Sequence, residues 1–174
     1  MIIFFLISFI TNIIGPLIPD IIQNFNLSLT AAGILPFSFF IAYGLFSVPS
    51  GYLIEFYGEK KIIIIGLLIS LMGSLFFSLY TNYFSGIVSF LLIGTGMAIL
   101  QVAINPLLRS TTNAENFAFF SIMGQFFFGL ASFLSPIFYV EILSNKVINF
   151  IYNFNPKWIV IYWTFSIISL LLIF

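Results

Sequence analysis

The chain has 174 residues, of which 61% are hydrophobic and 6% charged, with a mean hydropathy of +1.21; it lacks the polar surface that a water-soluble globule needs. Five basic and five acidic residues cancel, which leaves no cationic field for nucleic acid. The absence of His and Cys removes imidazole catalysis, thiol chemistry, disulfides and the common zinc sites. We therefore expect no catalytic residue, no cofactor, no metal and no enzyme.

A helix needs about 20 apolar residues to cross a hydrocarbon core of about 30 Å. Six runs of that size predict an all-α polytopic membrane protein, with spans from Ile2 to Ile22, Ala31 to Ile54, Ile62 to Tyr80, Phe84 to Leu108, Phe117 to Val140 and Trp158 to Phe174. The first run has no basic lead and no small-residue cleavage site, and it contains Asn12, Gly15, Pro16 and Pro19; it reads as a retained span rather than a secretory leader. The connectors carry turn residues: Asn24, Asn26 and Ser28; Gly58 to Lys61; Thr81 and Asn82; Thr111 to Asn116; and the longer Ser144 to Lys157. They are too short for a second domain, so residues 1–174 are expected to form one transmembrane bundle.

With a cytoplasmic amino terminus, Lys60, Lys61 and Arg109 lie inside and Lys146 and Lys157 outside, a bias of three to two that favours this orientation. A shift of 90 residues lays Ile14 to Ile18 over Ile104 to Leu108, with Pro16 over Pro106. A unit of three spans, being odd, must re-enter the bilayer from the opposite face, which predicts a 3+3 inverted repeat. The chain stops at Phe174 inside an apolar run, and we expect a fragment of a longer protein.

Polar side chains inside the spans fall into stripes at helical spacing. Met97, Gln101 and Asn105 share one face of the fourth span, where Pro106 frees a carbonyl one turn earlier. Ser8 and Asn12 share a face of the first span, and Ser121, Gln125, Gly129 and Ser132 a face of the fifth. An unpaired amide in lipid costs several kcal/mol, so such groups turn toward another helix or a wet cavity. For a single serine, bonding to a neighbouring helix is the preferred reading. For Asn12, Gln101 and Gln125 as a set, it is a cavity that offers donors and acceptors to a sugar. Asp20, near the end of the first span, reads as an interfacial or helix-contact residue rather than a proton site.

Between the second and third spans the chain reads Gly51-Tyr52-Leu53-Ile54-Glu55-Phe56-Tyr57-Gly58-Glu59-Lys60-Lys61. Gly58 suits a tight turn, Gly51 the close approach of a neighbouring helix, and the lysines an anionic headgroup layer. The pattern Gly51, Glu55, Gly58, Lys60 and Lys61 resembles the signature loop of the major facilitator superfamily, which also lies between the second and third helices. The resemblance implies that Glu55 helps to hold one gating state. Phe56 stands where that family usually has a basic residue.

The stretch from Gly94 to Pro106 is further similar to the fourth helix of the fucose permease family of sugar and proton symporters, with Asn12, Gly15 and Leu17 to Pro19 matching its first helix and Gln125 and Pro136 its fifth. This resemblance implies the amino-terminal half of a twelve-helix sugar transporter, possessed of a carboxy-terminal partner half and lodged in a bacterial inner membrane. It implies substrate contacts from Asn12, Gln101, Asn105 and Gln125, with a monosaccharide as the partner besides the lipid bilayer. Gln101 and Gly15 occupy positions where the family carries acids, and a glutamine cannot titrate, so coupling to protons by those carboxylates is not expected. A helical membrane assembly subunit, or an inactive truncated remnant, is the alternative reading; its polar stripes would only bind neighbouring helices.

Overall fold

The computed structural model describes residues 1–144 and 156–173. Its described elements are six helices: α1 (Ile2–Phe25), α2 (Leu29–Tyr57), α3 (Glu59–Leu79), α4 (Tyr83–Thr111), α5 (Ala114–Ser144) and α6 (Ile159–Ile173). The first five, of 21 to 31 residues, are long and apolar enough to cross a membrane, reaching about 32 to 47 Å at the helical rise. The sixth is described over 15 residues. Lys146, most of the expected Ser144 to Lys157 connector, and Phe174 lie outside the described residues.

The helices outrun the apolar runs because the flanking polar residues cap them. Asn26 ends α1 in the left-handed region at φ 50°, and the Ser28 hydroxyl accepts from the Ala31 N–H at 3.2 Å to start α2. Asn24, expected in the turn, is therefore inside α1. Gly58, at φ 79°, closes α2 with its N–H bonded to the Ile54 carbonyl at 2.8 Å, and α3 begins at the next residue. Asn82 and Ser85 form a reciprocal capping box at the start of α4. Pro16, Pro19, Pro36, Pro49, Pro106 and Pro136 all lie within helices, which membrane helices tolerate when neighbours hold them in place.

Helix α4 is the centre of the bundle. It packs along α3 and α2 and also touches α1 and α5, while α1 pairs with α5 and α3 with α6. Small residues let the backbones close up: a Cβ added at Gly94 would meet the Phe39 carbonyl oxygen of α2 at 2.3 Å, and one at Gly96 would meet the Gly66 carbonyl oxygen of α3 at 2.6 Å. The Ser89 hydroxyl donates across the α3–α4 seam to the Gly73 carbonyl at 2.7 Å, and the Tyr83 hydroxyl donates to the Ala31 carbonyl of α2 at 2.8 Å. Phe77, Phe90, Trp158 and Tyr162 fill the space between α3, α4 and α6, with Phe77 and Tyr162 edge to face at 4.8 Å. By contrast α2 and α5 expose much of their apolar surface, including Phe37, Phe40, Leu45, Phe126 and Phe133.

Candidate functional site

The three polar stripes sit on α1, α4 and α5, which are mutual neighbours. Their members do not share one environment. Met97 is fully buried, Gln101 is half-buried and Asn105 is exposed, so the α4 stripe runs from the core to the surface. Near the middle of α4, Gly94 lies against α2 and Gly96 against α3, whereas toward Pro106 the helix is more open.

Gln101 is the unusual member. Its side-chain oxygen is buried and has no hydrogen-bond partner among the described residues. Half-buried Asn12 uses its amide nitrogen within its own helix, donating to the Ser8 carbonyl at 2.8 Å and the Ser8 hydroxyl at 3.3 Å. Asn105 and Gln125 are exposed, and no hydrogen bond joins Asn12, Gln101, Asn105 and Gln125 to one another. Gln101, Asn105 and Gln125 thus make no side-chain hydrogen bond among the described residues, and the four amides stand on three neighbouring helices. A groove of about 440 Å³ between α1, α5 and α6 is lined by apolar side chains such as Phe5, Phe9, Ile137 and Phe138, with Glu141.

Ser8, on one face with Asn12, is fully buried and donates to the Phe128 carbonyl of α5 at 2.6 Å, the bond to a neighbouring helix that is the preferred reading for a single serine. Ser135, which the stripes omitted, joins the same α1–α5 seam by donating to the Phe9 carbonyl at 2.9 Å. On α5, Ser121 and Ser132 are half-buried, while Gln125 and Gly129 face outward and nothing among the described residues stands within 4 Å of a Cβ built at Gly129. Asp20, half-buried near the end of α1, accepts a hydrogen bond from the Tyr139 hydroxyl of α5. Tyr139 is a single buried tyrosine in an apolar run, with no spacing signal to mark its partner.

At the opposite end of the bundle, the α2–α3 turn presents Glu55, Lys60 and Lys61 to the outside. Gly58 has the positive φ that a tight turn requires. At Gly51 nothing among the described residues stands within 4 Å of a built Cβ, so the close neighbour expected there is not among them. Among the described residues Glu55 has no ion pair or hydrogen bond, and Phe56 beside it is 80% exposed. Arg109 lies in the last turn of α4 and Glu115 in the first turn of α5, each where its charge complements the helix dipole.

Comparison with known proteins adds to this geometry. The chain is 31% identical over 138 residues to a glucose/galactose transporter of Brucella abortus, covering 78% of this chain and 34% of that protein. It is 26% identical over 147 residues to the L-fucose-proton symporter of Escherichia coli, covering 83% of this chain and 34% of that protein. The crystal structure of the E. coli fucose:proton symporter superposes with a TM-score of 0.71 at 20% identity, over 98% of this chain and 46% of that one. The chain thus spans less than half the length of the relatives it matches. The Major Facilitator Superfamily profile matches residues 1–174, from the first span to the last, and the chain belongs to that superfamily.

Proposed function

We propose that this chain is the amino-terminal six-helix half of a transporter for a sugar or similar polyhydroxylated solute, working by alternating access with a carboxy-terminal half. The observation that carries the reading is Gln101, whose buried amide oxygen has no partner among the described residues. In a low-dielectric surrounding that deficit is relieved by a donor from outside the chain, and a solute hydroxyl is such a donor. Asn12, Asn105 and Gln125 offer further amide groups on the neighbouring helices. The named relatives, a glucose/galactose transporter and an L-fucose-proton symporter, agree with this substrate class. A solute seated between two bundles is exposed to each side in turn as they rock.

The pairings inside the chain also suit a 3+3 inverted repeat. Exchanging the unit α1–α3 with α4–α6 turns the α2–α4 contact into α5–α1, and both contacts are present. The proposed setting is a bacterial inner membrane with the amino terminus and the α2–α3 turn on the cytoplasmic side, where Lys60 and Lys61 meet anionic headgroups. In this scheme Glu55 and Gly58 shape the gating loop, and the close neighbour of Gly51 comes from the other half.

The test is uptake of a panel of labelled monosaccharides into proteoliposomes that hold the carrier, with and without imposed proton or sodium gradients. Uptake of at least one sugar, lost in Gln101→Leu at equal incorporation, is expected. Absence of uptake across the panel, or full uptake by Gln101→Leu, overturns the assignment.

A further inference from the structure

Helix α1 runs unbroken from Ile2 to Phe25 but is weakened in its second half. Pro16 and Pro19 have no N–H to bond the carbonyls of Asn12 and Gly15, and Gly15, just before Pro16, is exposed with open space where a side chain would be. Hydrogen bonds from α1 to α5 lie on both sides of this weakened stretch. Before it stand the two serine bonds, Ser8 to the Phe128 carbonyl and Ser135 to the Phe9 carbonyl, both serines being fully buried. Beyond it, among the described residues, stands only the Tyr139 hydroxyl donating to the Asp20 carboxylate.

The three bonds differ in what replaces them when they open. A serine in the dry seam finds no water, so breaking its bond carries the full desolvation penalty. Asp20 borders a cleft of about 340 Å³ that also takes in Asn24, Lys157 and Trp158. Asn24 and Lys157 are exposed, so water reaches this cleft and can solvate the carboxylate when the tyrosine leaves. Asn24 donates to the Asp20 backbone carbonyl at 2.9 Å and leaves the carboxylate itself to Tyr139. A hydrogen bond to a charged acceptor is about twice as strong as a neutral one, so this contact holds firmly while it is made.

We propose that the Asp20–Tyr139 bond is a releasable latch that holds the end of α1, residues 20–25, against α5. When it opens, the Gly15–Pro19 stretch, short of two backbone bonds, lets that end loosen its packing at Ile21 and Phe25 while the serine bonds keep the remainder of α1 in place. The latch does not depend on the identity of the solute, and its failure leaves the transport assignment untouched.

Hydrogen–deuterium exchange on the full chain in detergent micelles tests it. Tyr139→Phe is expected to raise exchange across residues 20–25 by about tenfold or more and to leave residues 2–12 unchanged. Asp20→Asn, which keeps an acceptor but removes its charge, should give a smaller rise in the same residues; should Tyr139→Phe not fold, Asp20→Asn carries the test alone. Equal acceleration over the whole of α1, or none over residues 20–25, overturns the latch.

Discussion

Replacing Gly94 with alanine tests how closely α2 and α4 are pressed together. The added Cβ would stand 2.3 Å from the Phe39 carbonyl oxygen, 3.0 Å from its carbonyl carbon and 3.1 Å from its Cα. A carbon and a carbonyl oxygen settle at about 3.3 Å, so the two helices must separate locally by about 1 Å. The obstacle is backbone, which cannot rotate aside, and overpacking of this kind destabilises by about 1–3 kcal/mol, with the upper end expected here. Gly44, on the same α2, has nothing within 4 Å of a built Cβ. There alanine meets no obstacle and removes the conformational freedom of glycine, a gain of about 0.5–1 kcal/mol. Gly96→Ala should fall between them, since one of its obstacles is the Ser70 hydroxyl, which can turn aside at the cost of its bond to the Gly66 carbonyl, and another the Gly66 carbonyl oxygen itself at 2.6 Å. Reversible unfolding in mixed micelles with rising dodecyl sulfate, followed by far-ultraviolet circular dichroism, ranks the variants. If Gly94→Ala proves as stable as Gly44→Ala, the close α2–α4 approach is wrong.

Gln101→Leu should raise the stability of the isolated chain by about 1 kcal/mol, because it removes a buried oxygen without a partner, while abolishing uptake by the carrier; loss of both stability and uptake would make Gln101 a structural residue. Gln101→Glu in the carrier should create or strengthen a dependence of sugar uptake on an imposed pH gradient, and an unchanged response would place Gln101 away from coupling. Ser8→Ala should destabilise the chain by about 0.6 kcal/mol, the average for a hydrogen bond between membrane helices, as read from the same unfolding titration. Gly58→Val should destabilise by about 1–2 kcal/mol, since φ 79° is unfavourable for a β-branched residue; Gly51→Val should leave the stability of this chain unchanged, so that any loss of transport reports on a neighbour outside it.

The order of the spans and the α2–α3 turn were legible because membrane insertion reads local properties. A run of about 20 apolar residues specifies a span without reference to any other part of the chain, and a glycine before Glu59, Lys60 and Lys61 marks a turn by its own backbone freedom. The polar residues were less legible. Helical spacing put Ser8 and Asn12 on one face, yet that face is wide enough for one to enter the α1–α5 seam while the other stays half-open. The same spacing put Met97 in line with Gln101, although the bundle buries the first completely and the second only in part.

From the residues alone follow the apolar surroundings, the number and order of the spans, the turns between them, and the amide content of three helix faces. These follow from free energies that each segment has on its own: transfer of apolar surface, backbone preference and local hydrogen bonding. Helix packing settles which serine meets which carbonyl, that Tyr139 meets Asp20 across 119 residues, that Gly94 yields to Phe39, and that the Gln101 oxygen is buried with no partner among the described residues. Those outcomes depend on how helices rotate and tilt against one another, and a rotation of a few tens of degrees moves a side chain from one neighbour to the next while leaving every local preference satisfied.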